Sequence, residues 1–191
     1  MMLIVLFLFL IMVIIYSISI PRKTKGIIFF DIDDTLTTMV HSDQDIIIEY
    51  CINAGYDVGI ITASDRPIHY IVNYDGTPNT QISPWMSKTL ARYLYETNFR
   101  TYNTWSLTMG EKYKFPNFKH DKRIFGWKKG WQMEVAIREF GYDRRKCFLF
   151  DDQKLVLESA RDVCVGPKYI LVDNNSCDKQ LDIKLIKYLI K

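Results

Sequence analysis

The chain opens on a long uninterrupted apolar run and continues as short apolar runs alternating with amphipathic stretches. Residues 1–20, MMLIVLFLFLIMVIIYSISI, hold no charge and no Pro or Gly. As a helix they would extend about 30 Å, the thickness of a hydrocarbon core, and so predict a transmembrane helix. From Gly26 the pattern changes. Gly26–Phe30 reads as a strand buried on both faces, and a helix starts at Ser42-Asp43-Gln44-Asp45 and is stopped by Gly55. Asp57–Ile61 is a second strand, running into Thr62-Ala63-Ser64-Asp65-Arg66-Pro67, where Pro67 suits the first turn of a following helix. Residues 73–83, NYDGTPNTQIS, are polar and turn-rich. Pro84–Phe99 has helical periodicity, Thr101–Ser106 can form a strand, and 107–127 is irregular. Trp131–Phe140 predicts a helix closed by Gly141, and Cys147–Phe150 a strand leading into Asp151-Asp152. A helix over Leu155–Val163, a strand over Tyr169–Val172 and an amphipathic helix over Asp178–Ile190 complete the series. Strands alternating with helices predict an α/β fold with a parallel sheet flanked by helices.

Composition narrows this further. With 191 residues and 48% apolar content, the chain suits one globular domain plus a short extension. Charged residues make up 25% and the net charge is only +3, which excludes a long disordered chain or a protein that coats nucleic acid along its whole surface. Cys51, Cys147, Cys164 and Cys177 lack CxxC spacing and read as free thiols. Pro21, Arg22, Lys23 and Lys25 follow the apolar run, and basic flanks stay on the cytoplasmic side. The expected organisation is an anchor over 1–20, a basic linker over 21–25 and a domain over 26–191 with a small insert around 73–127. That domain would face the cytoplasm. The alternative is a signal peptide cleaved after Ser17-Ile18-Ser19, giving a secreted domain to which the sequon Asn174-Asn175-Ser176 would then be available.

Polar residues collect at one structural place, the carboxyl end of buried strands: Asp31 and Asp33 after the first, Thr62 and Ser64 after the second, Asp151 and Asp152 after a later one. In open parallel sheets that edge binds ligands. Several carboxylates there repel one another unless a cation lies between them, and Mg²⁺ commonly uses one or two carboxylates with a substrate phosphate. Given such an ion, Asp31 can attack phosphorus as a nucleophile. Asp33 is near enough to protonate the departing oxygen and then to activate water. The Thr62 hydroxyl and a lysine can hold the phosphoryl oxygens.

These residues resemble the haloacid dehalogenase-like (HAD) hydrolase superfamily. Its first motif, an apolar strand followed by D-x-D-x-T/V, is matched by Asp31-Ile32-Asp33-Asp34-Thr35. Its second, a Ser or Thr ending the next strand, is matched by Thr62. Its lysine, near the start of a later helix, is matched by Lys129, with Lys128 in reserve. Its fourth motif, an acidic pair after a strand, is matched by Asp151-Asp152. The resemblance spans Gly26 to Val172 and implies a Rossmann-like sheet. It further implies Asp31 as nucleophile and metal ligand, Asp33 as acid/base offering its backbone carbonyl to Mg²⁺, and Thr62 and Lys129 as phosphate-binding residues. Asp152 is then the preferred metal ligand, with Asp151 supporting it. Only 28 residues separate Asp33 from Thr62, and 66 separate Thr62 from Lys129, so the expected type is a phosphatase with a minimal cap. Open sites of that type admit larger substrates such as phosphoproteins or nucleic-acid ends, and a phosphorylated small molecule is also a candidate substrate. A phosphotransferase or a catalytically silent membrane-bound interaction module would use the same fold.

Residues 111–131, EKYKFPNFKHDKRIFGWKKGW, interleave seven Lys and Arg with aromatics and could grip a nucleic acid or anionic lipid. The alternative is a solvated loop pinned by its aromatics. Arg66 could add charge near the phosphate or sit in a surface ion pair.

Overall fold

The computed structural model describes residues 24–62, 71–97, 101–103, 122–173 and 180–191. In chain order its elements are β1 (Gly26–Phe30), α1 (His41–Asn53), β2 (Tyr56–Thr62), α2 (Lys88–Glu96) and β3 (Thr101–Asn103). There follow α3 (Lys122–Phe140), a 3₁₀ turn at Arg144–Lys146, β4 (Phe148–Asp151), α4 (Lys154–Val163), β5 (Lys168–Leu171) and α5 (Ile183–Leu189). The strands form one sheet in the order β3-β2-β1-β4-β5, and every neighbouring pair is parallel.

β1 is central and apolar throughout because both of its faces are covered. Its side chains alternate. Ile28 and Phe30 join Phe148 and Phe150 of β4 against α1, α2 and α5, with the rings of Phe30 and Phe150 stacked at 5.2 Å. Ile27 and Phe29 join Leu149 against Met133, Ala136 and Ile137 of α3 and Leu157 and Ala160 of α4. The result is helix, sheet and helix in three layers. Burying one such Ile or Phe side chain contributes about 1.5–3 kcal/mol, so β1 alone is a substantial part of the core.

Chain order reverses at β1: the chain builds β2 and β3 on one side, then crosses to β4 and β5 on the other. The carboxyl ends of β1 and β4 therefore flank a topological switch point, where open α/β sheets form a crevice.

Several elements differ from the sequence expectations. α3 begins at Lys122, not Trp131, so 122–127 is helical. Its two glycines are the reason the pattern misleads. At Gly126 and Gly130 a Cβ would lie 2.3 Å from the carbonyl oxygens of Val156 and Ala160, so the glycines let α3 pack directly on the backbone of α4. That contact outweighs glycine's poor helix propensity, about 1 kcal/mol per residue. Within the span around 73–127, α2 packs in the core, β3 joins the sheet and Lys122–Trp127 belongs to α3. α2 starts at Lys88 because the Ser87 hydroxyl caps it, accepting from the Leu90 N–H at 3.2 Å. α5 starts at Ile183, where Asp182 accepts from the Leu185 N–H at 2.8 Å. Cys51, Cys147 and Cys164 are buried free thiols, and Cys177 lies outside the described residues. So do the apolar run 1–20 and the first part of the basic aromatic stretch, 111–121. Among the described residues no helix is long and apolar enough to cross a membrane.

Candidate functional site

β1 delivers Asp31 to the switch point, and the hydrogen bond from the Asp31 N–H to the Phe150 carbonyl at 2.9 Å ties it to β4. The chain then makes one wide turn over Ile32–Leu36, closed by the Thr37 N–H donating to the Ile32 carbonyl at 3.0 Å. Within it Asp34 takes a left-handed conformation, φ 54°, one that side chains other than glycine rarely adopt. The turn sends Thr35 and Leu36 back into the core and leaves Asp33 and Asp34 exposed. Gln44 of α1 braces the end of this turn: its amide donates to the Leu36 carbonyl at 2.9 Å and the Trp85 carbonyl at 2.7 Å.

β4 delivers Asp151 and, one residue on, Asp152. The carboxylates of Asp31, Asp151 and Asp152 converge so that one oxygen from each lies within 4.8 Å of the others. Between them stands Lys129, whose Nζ lies 2.7 Å from Asp31 Oδ1 and 2.6 Å from Asp151 Oδ2. Lys129 is 3% exposed, Asp31 5% and Asp151 0%. It reaches this position because Gly126 and Gly130 bring α3 against α4.

Three carboxylates face one ammonium, which with all three ionised leaves two negative charges uncompensated within the cluster. The electrostatics follow from that imbalance. Burial pushes the Asp31 carboxyl up, to about 7; Lys129 pulls against this, and the charge on Asp151 adds to it. Burial likewise pushes Asp152 up, with Gln153 opposing. Burial also opposes the charge on Lys129, but Asp31 and Asp151 outweigh it and hold the ammonium above its ordinary pKa. Hard oxygen donors whose repulsion a cation would relieve fit a divalent metal, and the cluster could hold a metal ion.

The two β4 acids are not equivalent. Both Asp151 oxygens accept hydrogen bonds, Oδ1 from the Gln153 N–H at 2.9 Å and Oδ2 from Lys129. Asp152 is half-buried and uses Oδ2 for the Gln153 side chain.

Of the other residues singled out in the sequence, Thr62 is buried at the end of β2, at the same sheet edge, two positions beyond the Phe30 and Ile60 pair. Asp33 is exposed on the turn that follows Asp31, outside the three-carboxylate cluster. Lys128 is half-buried on α3, and burial lowers its pKa. Ser64 and Arg66 lie outside the described residues. Gln153, Gln44 and the two α3 glycines carry no signal in the sequence that would have marked them as parts of the site.

Fold and site define a parallel α/β protein with a buried acidic cluster at its switch point, a cluster able to hold a metal ion and with catalytic potential. No protein-family model matches the chain, and no curated protein does. The crystal structure of an uncharacterized protein from Corynebacterium glutamicum ATCC 13032 Kitasato is similar to it, with a TM-score of 0.48 and 11% identity. The match covers 87% of this chain and 95% of that one.

Proposed function

We propose that the chain is a Mg²⁺-dependent phosphohydrolase of the haloacid dehalogenase type, acting on phosphomonoesters through an aspartyl-phosphate on Asp31. The observation that carries this reading is the bridge from Lys129 to both Asp31 and Asp151 at the switch point, beside a third carboxylate. A charge set of that kind suits a phosphoryl group, which needs cations on its oxygens and a carboxylate close to phosphorus.

Mg²⁺, held by Asp31, Asp152 and the Asp33 backbone carbonyl with Asp151 in support, would neutralise charge on the cluster and on the phosphoryl oxygens. The two hydrogen bonds already made by Asp151 support Asp152 as the direct ligand. An Asp31 oxygen forms a bond to phosphorus as the bond to the leaving oxygen breaks, and Asp33 gives that oxygen its proton. Asp33 then takes a proton from water, whose oxygen attacks phosphorus, freeing inorganic phosphate and restoring Asp31. Lys129 and Thr62 hold the phosphoryl oxygens. The exposed position of Asp33 on the turn supports its role, since the leaving group departs toward solvent.

The substrate class is a phosphorylated small molecule, a phosphoprotein or a nucleic-acid end. The apolar run 1–20, followed by Arg22, Lys23 and Lys25, would tether the enzyme to a membrane with its domain in the cytoplasm.

Turnover of p-nitrophenyl phosphate by the full chain in detergent, with Mg²⁺ or with EDTA, tests the chemistry. The expected result is Mg²⁺-dependent release of inorganic phosphate that is lost in Asp31→Asn. Metal-independent turnover, or wild-type rates in Asp31→Asn, would refute it. Consumption of substrate without inorganic phosphate would point to transfer onto another acceptor.

A further inference from the structure

Gln153 is the N-cap residue of α4 and directly follows the two β4 acids. Its backbone N–H donates to Asp151 Oδ1 at 2.9 Å. Its side-chain Nε2 donates to Asp152 Oδ2, and its Oε1 accepts from Lys122 Nζ at 2.5 Å. The two outer partners fix which way the amide points. An ammonium can only donate and a carboxylate can only accept, so Oε1 must face Lys122 and Nε2 must face Asp152. Glutamine is the residue that satisfies both ends. A glutamate would set another carboxylate against Asp152, and an apolar side chain would remove the hydrogen bond that holds Asp152 Oδ2.

The donor at the far end belongs to the helix that also supplies Lys129. Lys122 and Lys129 are seven residues apart, which returns to the same face of a helix after two turns. α3 thus engages the β4 acids twice: inside the cluster through Lys129, and from the solvent side through Lys122 and the Gln153 amide.

We propose that Gln153, braced by Lys122, is a positioning residue for the metal: it fixes the rotation of the Asp152 carboxylate so that the three carboxylates converge on one cation. This rests on reading the cluster as a divalent-metal centre. Partners that orient a ligand from behind are worth about 10- to 100-fold in metal affinity, and Gln153 occupies that place for Asp152. Its backbone contact with Asp151 survives replacement by alanine or leucine, so those substitutions remove only the side-chain contacts with Asp152 and Lys122.

The experiment is calorimetric titration of the full chain with Mn²⁺, with p-nitrophenyl phosphate kinetics at saturating metal and melting without metal measured beside it. Gln153→Ala and the similarly sized Gln153→Leu are each expected to weaken Mn²⁺ binding about tenfold or more, leaving KM and metal-free melting unchanged. Lys122→Ala is expected to weaken binding by a smaller factor, and Lys122→Ala combined with Gln153→Ala to be no worse than Gln153→Ala alone. Unchanged Mn²⁺ affinity in both Gln153 variants, with binding lost in Asp152→Ala, would end the positioning role and leave the metal centre standing. Affinity that falls only in step with metal-free stability would also overturn it, by making Gln153 structural alone. Absence of Mn²⁺ binding by the wild-type chain would overturn the metal centre and the positioning role together.

Discussion

Replacing Gly130 with alanine sets one methyl group between two helix backbones. The added Cβ would lie 2.3 Å from the Ala160 oxygen and 2.9 Å from its Cα, where ordinary contact begins at 3.4 Å. The obstacle is backbone, which cannot rotate away, so α3 must retreat from α4 by about 1 Å. Overpacking of this kind costs about 1–3 kcal/mol, and alanine recovers about 1 kcal/mol through its better helix propensity. With the clash on backbone at the upper end of that range, the net loss is about 1–2 kcal/mol, or about 2–8 °C in Tm for a chain of this size. The functional loss should be larger. The retreat carries Lys129, the neighbouring residue, away from contacts of 2.6 and 2.7 Å, and a 1 Å misplacement at a reacting centre can cost about 100-fold in rate. The assay pairs thermal melting with kcat for p-nitrophenyl phosphate at a temperature where the variant is folded. Gly141→Ala is the control: Gly141 has φ 68° and nothing within 4 Å of its would-be Cβ, so alanine there costs backbone strain of about 1 kcal/mol and no activity. A Gly130→Ala variant more stable than wild type and fully active would refute the argument, because that is how alanine behaves on an unpacked helix.

Lys129→Met removes the ammonium from between two buried carboxylates. Breaking one partner out of a buried ion pair costs about 3–5 kcal/mol, which corresponds to about 6–20 °C in Tm. Melting with and without Mg²⁺ should show that loss and its partial recovery with metal, while unchanged stability would mean that Lys129 compensates nothing. A second test uses pH. Glu134 of α3 accepts from Arg144 Nη2 at 2.5 Å, from Arg144 Nη1, and from Arg138 Nε at 2.5 Å. The Arg144 hydrogen bonds lead in pulling its carboxyl from 4.5 down to about 2. Because the folded pKa is the lower one, this stabilisation is complete above about pH 4.5 and is lost as pH falls toward 2. Solvent screening at the partly exposed arginines limits it to about 1 kcal/mol. Acid unfolding of Glu134→Gln should be flatter than wild type across that window, and parallel curves would show that the pair contributes nothing.

The sequence made some features plain and concealed others, for physical reasons. β1 and β4 are legible because strands buried on both faces must be apolar throughout, and acids at their ends stand out against such runs. α1 is legible from its acidic first turn and the glycine beyond it. The first half of α3 was concealed because Gly126 and Gly130 read as breakers, and only the path of α4 shows that close approach demands them. α2 and α5 are shorter than their periodicity suggests because Ser87 and Asp182 start them late. At the site, Asp31, Lys129 and Asp152 carry a sequence signal because their chemistry depends on residue type and order. Gln153 carries none, since an amide between a lysine and a carboxylate is a tertiary arrangement with no local spacing.

The hydrogen bond from Asp31 to Phe150 has a consequence for biosynthesis. β1 leaves the ribosome early and can pair with β2 soon afterward, but its other edge waits for β4, which emerges only after α3 has been made. Until then the nascent chain exposes one flank of its most apolar strand, the kind of unpaired edge that favours aggregation during synthesis. Asp31, meanwhile, lacks the β4 acids that converge on it in the finished fold. A chain stalled or truncated before Asp151 would lack two of the three carboxylates that converge at the switch point, so the acidic cluster forms only once β4 has paired with β1.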